Sequence, residues 1–339
     1  MIAVWVIAAA ASAVSFLSAM VMLPAWIRVA RAQGLVGKDM NKPYQVEVAE
    51  AGGLWVVVAA ALGLLVMDVL SAFLGGAPYQ PVYLMSLVSV TLLAALIGLL
   101  DDLLGWKKGL PAWVRVLSTI PASLPLVVAK YNAYVVHIPV LNRFIYLGPL
   151  FPLVVVPVGV MGASNAYNMI AGYNGLEAGM GVVLLAFTAA YAAVRGAWFS
   201  MYASLVMLAA LLAFLVYNWY PARVFPGNTM TYALGAYYAG IVVLGGVAAF
   251  GLFMFIPYYV ELLLFLRGLA HGVYKENFGR PAPDGSLEPP YERSYSLTHV
   301  MIRLQRALRG RATEVGVTVG LMALEAAVGA AAMAVFLTL

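Results

Sequence analysis

The chain has 339 residues, of which 64% are hydrophobic and only 10% are charged, whereas an average soluble protein is about 25% charged. A soluble core cannot bury so much apolar surface, so the composition excludes an ordinary soluble domain and predicts an all-α polytopic membrane protein. The absence of cysteine excludes disulfides and zinc–thiolate sites. The net charge of +5 is no sign of nucleic-acid binding, because the basic residues gather in connections that face lipid headgroups.

Ten apolar segments are predicted to cross the membrane, within one transmembrane domain that covers residues 1–339. Their approximate bounds are 2–27, 53–74, 81–100, 111–129, 147–164, 176–194, 198–218, 229–248, 249–267 and 313–337. The first segment lacks a basic n-region and a small-residue cleavage site, so we interpret it as a spanning helix and not as a signal peptide. Ten spans put both termini on one side and the nine connections alternately on the two sides.

The Lys and Arg residues divide unequally between these two sides. Sixteen of the 19 lie in or beside the odd-numbered connections, and three (Lys130, Arg143 and Arg195) lie beside the even-numbered ones. The positive-inside rule therefore predicts that the odd connections are cytoplasmic and that both termini are external.

The ninth connection, residues 268–312, is predicted to be a cytoplasmic loop that ends in an interfacial amphipathic helix. Its turn-rich first part is expected to form a small antiparallel element outside the bundle. Apolar residues from Leu297 to Leu308 recur at helical spacing beside four arginines. We expect this helix on the inner leaflet, and a cytosolic helix packed on the bundle is the alternative.

Two adjacent carboxylates, Asp101 and Asp102, follow the third apolar segment at the membrane edge. Acids are rare in this chain, and a carboxylate at bilayer depth is costly unless it has a partner or a function. The pair therefore predicts acid–base or cation chemistry at the lipid–water boundary. A helix cap, or an ion pair with Lys107 and Lys108, is the alternative.

The other polar side chains concentrate in the odd connections and suggest phosphoryl chemistry. Carboxylate and carboxamide oxygens suit Mg²⁺, which usually binds through one or two protein groups plus substrate phosphates. Nearby Lys and Arg can stabilise a transferring phosphoryl group. We therefore predict a site where a soluble phosphate donor meets a lipid acceptor. Taken singly, the asparagines fit ordinary turns and Arg223 fits an interfacial anchor.

Four motifs together resemble the polyprenyl-phosphate N-acetylhexosamine-1-phosphate transferases, specifically the dolichol-phosphate branch of eukaryotes and archaea. They are K-D-M-N-K at 38–42 with Glu50, G-L-L-D-D at 98–102, N-A-Y-N-M-I-A-G-Y-N-G-L-E-A-G at 165–179 and N-W-Y-P-A-R-V-F-P-G-N-T at 218–229. The resemblance implies transfer of N-acetylglucosamine-1-phosphate from UDP-GlcNAc to dolichyl or another polyprenyl phosphate. UMP is released, and lipid-linked glycan assembly for N-glycosylation begins.

The resemblance also implies a setting and a cofactor. The cofactor would be Mg²⁺, with Mn²⁺ as an alternative. The protein would be an integral multi-pass protein, in the cell membrane if its source is an archaeon, with the active site facing the cytoplasm. Its partners would be the UDP-sugar, the polyprenyl phosphate and membrane lipids, and not nucleic acid; a homodimer is left open.

The same resemblance assigns roles to single residues. Asn168 and Asn228 match metal ligands. Asp101 and Asp102 match an acidic pair that deprotonates the lipid phosphate or organises the metal site, and Arg115 stands where the family has a lysine near the pyrophosphate.

A larger set matches positions that bind substrate. Asn174 matches the group that reads uracil, and Phe225 matches the ring that stacks on it. The full set is Lys38, Asp39, Met40, Asn41, Lys42, Glu50, Asn165, Asn174, Arg223, Phe225 and His271.

Two departures from the family pattern stand out. The family has Gly-Asp-Thr where this chain has Gly227-Asn228-Thr229, and a neutral ligand should hold Mg²⁺ less tightly than an anion. Three explanations stay open: an engineered inactivating change, a natural enzyme that uses the substrate's charge, or a catalytically silent paralogue that binds nucleotide-sugar or lipid phosphate. A flippase is disfavoured because no inverted repeat is found.

The second departure lies in the ninth connection. The family's Arg-His-Arg element is reduced to Ala270-His271-Gly272, which keeps only the histidine. Arg267, Lys275 or Arg280 could supply the missing charge from shifted positions.

Overall fold

The computed structural model describes residues 2–74, 79–104, 109–129, 135–138 and 143–338. It confirms the all-α class. The helices are α1 (Ile2–Ala32), α2 (Gly53–Leu74), α3 (Pro81–Leu104), α4 (Ala112–Ala122), α5 (Leu124–Val128), α6 (Val156–Met169), α7 (Leu176–Val194), α8 (Trp198–Asn218), α9 (Gly227–Leu244), α10 (Ala248–Met254), α11 (Ile256–Ala270), α12 (Leu297–Arg309) and α13 (Glu314–Thr338). A π-helical turn, Phe151–Val155, leads into α6.

Three short antiparallel hairpins accompany the helices. They pair β1 (Val36–Lys38) with β2 (Glu47–Ala49), β3 (Val135–Ile138) with β4 (Arg143–Tyr146), and β5 (Arg280–Pro281) with β6 (Leu287–Glu288). The third hairpin matches the small antiparallel element that the turn-rich sequence predicted. The first two were missed, because strands of three or four residues are too short to show an alternating pattern.

Helices occupy all ten predicted spans, but not all of these helices are long and apolar enough to cross a membrane. Within the described residues, six helices are long and apolar enough to cross a membrane: α1, α2, α3, α7, α8 and α13. The pair α10 and α11, bent by 51°, adds a seventh if it is one span. The helices of the other three predicted spans are short, broken or polar at one end, so the count of ten stays a prediction.

Helix α9 lies at the centre of the bundle, against α2, α3, α6, α8 and α10. Small residues let its neighbours approach closely. A Cβ on Gly235 would lie 2.4 Å from the carbonyl oxygen of Ala163 in α6, and one on Gly98 of α3 would lie 2.3 Å from the carbonyl oxygen of Asn228. These contacts bring the ends of α3, α6 and α9 together.

The odd-numbered connections meet at one end of the bundle. Ala49 of the first pairs with Val224 of the seventh in a parallel bridge. Asn41 donates to the Gly172 carbonyl oxygen of the fifth at 2.8 Å and accepts from the Gly279 amide of the ninth at 3.2 Å. This clustering agrees with the predicted alternation. Which side of the membrane this end faces stays a prediction.

Helix α12 combines the two alternatives that the sequence left open. It begins after Ser296, whose hydroxyl accepts from the Thr298 amide at 3.3 Å, and it ends at Gly310 with φ +74°. Leu297 and Ile302 are buried, whereas Leu308 is 74% exposed. One face therefore packs on the bundle, and an apolar stripe remains for the predicted contact with the leaflet.

Glu325 lies midway along α13 and faces the interior of the bundle. It is fully buried, and neither of its carboxylate oxygens has a hydrogen-bond partner in the part of the chain that the structure describes. We expect Glu325→Leu to raise the free energy of unfolding by about 1–3 kcal/mol, because a buried polar group without a partner is destabilising. Thermal unfolding in detergent measures this as a higher Tm.

Glu261→Leu is the matched control for this prediction. Glu261 is also fully buried, but it is paired with Lys275, so its removal should lower Tm by leaving a buried cation alone. A lower Tm for Glu325→Leu would show instead that the Glu325 carboxyl makes a stabilising contact.

Candidate active site

Asp102, near the end of α3, caps the N-terminus of α9. Its Oδ1 accepts from the Asn228 amide at 2.7 Å, and its Oδ2 accepts from the Thr229 amide at 3.0 Å and from the Thr229 hydroxyl at 2.6 Å. Gly227 precedes these residues with φ +67°, and a Cβ there would lie 2.3 Å from Oδ2 of Asp102. The carboxylate thus satisfies amides that a helix leaves without internal partners.

Asp101 makes different contacts from its neighbour. Its Oδ2 accepts from the Asn228 carboxamide at 2.6 Å and from the Arg115 guanidinium at 3.1 Å, and its Oδ1 accepts from the Leu110 amide at 2.6 Å. The predicted alternative partners, Lys107 and Lys108, lie outside the described residues. Asp101 therefore balances Arg115 and turns the Asn228 carboxamide so that its nitrogen points to the carboxylate.

Thr231 joins the two asparagines that the resemblance assigned to a metal. Its hydroxyl donates to Oδ1 of Asn168 at 2.7 Å and approaches the Asn228 carbonyl oxygen at 3.2 Å. A hydrogen bond thus joins the end of α6 directly to the first turn of α9. The two connections that were predicted to contribute to one ion do lie side by side.

Several of these residues lie in helices and not in loops as predicted. Asn165 and Asn168 belong to the last turns of α6, which runs on to Met169, and Asn228 belongs to the first turn of α9. Asn165 donates to the Met161 carbonyl oxygen at 2.8 Å and to the Thr119 hydroxyl at 3.4 Å. The helical setting makes the site more rigid than loops would.

The residues present fit Mg²⁺ only with help from a substrate. No group of three or more His, Asp or Glu side chains within the described ranges could hold a metal ion. The available ligands are the carboxamide oxygens of Asn168 and Asn228 and the carboxylate of Asp101. Such hard oxygen donors suit Mg²⁺, which is commonly held by few protein groups together with phosphate oxygens.

The first connection is tied to the rest by a buried ionic network. Lys42 pairs with Glu314 and lies 2.9 Å from Asp39. The Asn174 carboxamide donates to Asp39 at 3.1 Å, and the Asn174 amide donates to Glu314 at 3.0 Å. Burial opposes the charge on Lys42, but Glu314 and Asp39 outweigh it and raise the pKa of Lys42. These side chains hold the connections together, so substrate contact by them stays a prediction.

Glu50 and Phe225 lie where the first and seventh connections meet. The Phe225 amide donates to the Ala49 carbonyl oxygen at 2.7 Å, and the Gly52 amide donates to the Phe225 carbonyl oxygen at 2.9 Å. Burial, reinforced by the negative charge of Asp102, raises the pKa of Glu50 to about 7. Glu50 therefore belongs to the electrostatic surroundings of the acidic pair.

The remaining predicted residues are not joined to this cluster by contacts among the described residues. Lys38 is exposed and Met40 is half-buried. Arg223 donates to the Val216 carbonyl oxygen at 3.1 Å and lies over the Tyr217 ring. His271 contacts the Arg267 carbonyl oxygen at 2.7 Å and Arg293 at 2.9 Å, within its own segment.

Lys275 and Asn277 of the ninth connection hold the end of α6, and sequence reasoning missed this role. Asn277 donates to the carbonyl oxygens of Met169 at 2.7 Å and Ala171 at 2.6 Å. Lys275, one of the three residues that could supply the missing charge, is buried against Glu261 and donates to the Met169 carbonyl oxygen at 3.3 Å. No local sequence pattern marks this role, because the contacts join segments more than a hundred residues apart.

Replacing Asp102 tests its capping role. We expect Asp102→Ala to lower the free energy of unfolding by about 1–3 kcal/mol, because it leaves the α9 amides without an acceptor. Thermal unfolding of the ligand-free protein measures the change. Glu47→Ala, which removes an exposed carboxylate of β2, should leave Tm nearly unchanged; equal effects of the two variants would contradict the capping role.

The stability of the ninth connection should depend on pH through His299. Its Nδ1 accepts from the Tyr295 amide at 3.3 Å, so Nε2 donates to the Glu276 carbonyl oxygen at 2.9 Å. Burial, aided by Lys275 and Arg303, lowers the pKa of His299 from 6.5 to about 4. The unfolded chain therefore binds a proton more readily than the folded one, and stability is lost as pH falls from 6.5 towards 4.

His299→Gln should reduce this pH dependence, because glutamine does not titrate. The measurement is the difference in Tm between about pH 7 and about pH 5 for each protein. The variant should show the smaller difference, and an unchanged difference would mean that His299 is not the group responsible.

Comparisons with known proteins bear on these motifs. A family model described as glycosyl transferase family 4 matches residues 84–246. A Saccharolobus solfataricus relative with the provisional name UDP-N-acetylglucosamine–dolichyl-phosphate N-acetylglucosaminephosphotransferase is 35% identical over 286 residues, 83% of each chain. A Sulfolobus acidocaldarius relative with the same provisional name is 30% identical over 281 residues, 82% of each chain.

A eukaryotic relative shows the same pattern over a shorter stretch. The Schizosaccharomyces pombe UDP-N-acetylglucosamine–dolichyl-phosphate N-acetylglucosaminephosphotransferase is 33% identical over 199 residues, 52% of this chain and 42% of its own. The matches confirm the resemblance that the four motifs indicated: the chain belongs to glycosyl transferase family 4, together with the dolichyl-phosphate N-acetylglucosaminephosphotransferases.

Proposed function

We propose that this protein transfers N-acetylglucosamine-1-phosphate from UDP-GlcNAc to dolichyl or another polyprenyl phosphate. One observation carries the proposal: Thr231 links Asn168 and Asn228 directly beside the Asp101–Arg115 pair. Hard oxygen ligands and a guanidinium in one place suit a diphosphate. The named activity of the archaeal and fungal relatives supports the same reaction.

The reaction exchanges one phosphorus–oxygen bond for another. An oxygen of the lipid phosphate bonds to the sugar-side phosphorus of the donor, and the bond from that phosphorus to the bridging oxygen breaks. The bridging oxygen leaves with UMP. Since the second pKa of a phosphate monoester is about 6, the acceptor is largely a dianion at neutral pH and needs no base.

The residues of the chain then have distinct roles in this proposal. Asn168, Asn228 and Asp101 would hold Mg²⁺, which would supply positive charge to the donor's diphosphate. Arg115 adds a fixed cation at the same place. Asp101 orients both Arg115 and Asn228. Asp102, whose oxygens are engaged by α9, fixes the position of that helix and abstracts no proton.

The Asn228 carboxamide is part of this hydrogen-bond arrangement, through its contact with Asp101. An aspartate in its place would set a second carboxylate against Asp101, where the carboxamide contact is now 2.6 Å, and Arg115 and a bound cation would have to offset the repulsion. The carboxamide removes this repulsion while it keeps one oxygen for a ligand. The named activity of the relatives favours a working enzyme over a silent binding paralogue.

The distribution of Lys and Arg residues indicates which side of the membrane the site faces. We also propose that the site faces the cytoplasm of a cell membrane, because sixteen of the 19 basic residues lie in or beside the connections that meet at the site. A homodimer stays a prediction.

The test uses purified protein with UDP-GlcNAc and dolichyl phosphate and follows UMP. We expect release with Mg²⁺ or Mn²⁺ and none with a chelator. Asn168→Ala should lower the rate by about a hundredfold or more with an unchanged Tm, as expected when a charge-stabilising group is lost. Glu47→Ala is the control that should retain the rate.

Three outcomes would contradict parts of the proposal. UDP-GlcNAc binding without UMP release, from this chain and from Asn228→Asp, would support the silent paralogue. Full activity in the chelator would exclude the metal. A near-normal rate for Asn168→Ala would remove that residue from the ligand set.

A further inference from the structure

A groove of about 460 Å³ separates α12 from the first turns of α13. Its volume lies within the roughly 300–1,000 Å³ of typical small-ligand sites. Met301, Leu304, Leu308, Val319 and Ala323 form its apolar lining. Because α13 is long and apolar enough to cross a membrane, the groove lies where this helix would enter the bilayer, at the same end of the bundle as the active site.

Gln305 and Arg309 both line the groove, and each has a side-chain nitrogen donor without an acceptor among the described residues. Gln305 is only 8% exposed, and its Nε2 has no partner among the described residues, although its Oε1 accepts from the Thr313 amide at 3.4 Å. Arg309 lies exposed at the rim, and none of the described residues binds its guanidinium. A buried amide without an acceptor is uncommon in folded proteins and points to a ligand oxygen.

The neighbouring arginines of α12 are already engaged by the protein. Arg303 donates to the Tyr291 carbonyl oxygen at 2.5 Å, and Arg306 lies 3.8 Å from the Glu288 carboxylate. Arg309 is thus the arginine of α12 that lines the groove and keeps its charge available. The lining contains no acidic residue, so its polar atoms complement an anion.

We propose that this groove binds one anionic membrane phospholipid. A lipid chain lies along the apolar lining, the phosphate meets Arg309, and an oxygen of the headgroup region accepts from Nε2 of Gln305. Exposed leucines beside a free cation at the membrane edge suit a molecule with both an apolar chain and a negative head. The inference goes beyond the proposed transferase activity and does not depend on it.

The experiment titrates the purified full chain with dioleoyl phosphatidylglycerol or dioleoyl phosphatidylcholine. Native mass spectrometry counts the lipid bound, and thermal unfolding reports its effect on Tm. We expect one phosphatidylglycerol per chain and a higher Tm, with much weaker binding of phosphatidylcholine. Arg309→Gln should weaken phosphatidylglycerol binding by about fivefold, the effect of one basic residue near an anionic lipid.

Arg311→Gln is the matched control. Arg311 lies two residues further on, is exposed, acts electrostatically on Asp284 and is not part of the groove. The Arg311→Gln variant removes the same charge as Arg309→Gln and should leave the affinity for phosphatidylglycerol unchanged. Equal weakening by both variants would indicate a general surface potential and overturn the site.

A second variant tests the apolar part independently. Ala323 is an exposed residue of the lining, so Ala323→Phe should fill the groove without disturbing the core. We expect it to abolish the bound lipid while UMP release is retained. Unchanged lipid binding, equal binding of the two phospholipids, displacement by equimolar dolichyl phosphate, or a change in oligomeric state with Ala323→Phe would each overturn the proposal.

Discussion

The contact between the end of α3 and the start of α9 is the interaction on which the site depends. Asp102 supplies the acceptors that the first amides of α9 lack, and its charge is favourable at the positive end of a helix. Gly98 allows the two backbones to approach, since any Cβ there would collide with Asn228. Only this approach puts the Asn228 carboxamide beside Asp101, and thus links the acidic pair to the asparagines.

Two buried ion pairs assemble the connections around this contact. Lys42 with Glu314 ties the first connection to α13, and Lys275 with Glu261 ties the ninth to α11. Buried ion pairs add little net stability, because both charges lose their hydration, but an unpaired partner is strongly unfavourable. We infer that these pairs fix which connections meet, more than how stable the protein is.

The ninth connection links the site to the membrane edge. At one end, Asn277 holds the carbonyl groups that follow Asn168. At the other end, α12 packs on α13 and forms the groove with Arg309 at its rim. A lipid in that groove would thus support the same segment that positions the end of α6. The ninth connection, which keeps only the histidine of the family's Arg-His-Arg element, therefore links two parts of the structure.

Composition, charge distribution and motifs were enough to predict the class of protein, the family and the connections in which the candidate site lies. Composition and the distribution of basic residues report on the membrane, because apolar and charged side chains partition differently wherever they occur. The motifs identified Asn168, Asn228 and the acidic pair. Most of the candidate site was therefore predictable as a set of residues, though not as an arrangement.

The contacts of each of those residues, in contrast, depend on how the helices pack. Asp101 and Asp102 are adjacent in sequence, yet successive helical residues point about 100° apart, so one turns to Arg115 and the other to α9. Their partner Asn228 lies more than a hundred positions away. Asn277 and Arg309 acquire roles only through helix ends and grooves that other segments create. Long-range partners of this kind leave no local pattern, because the pattern of a segment reflects its own burial and not the identity of its neighbour.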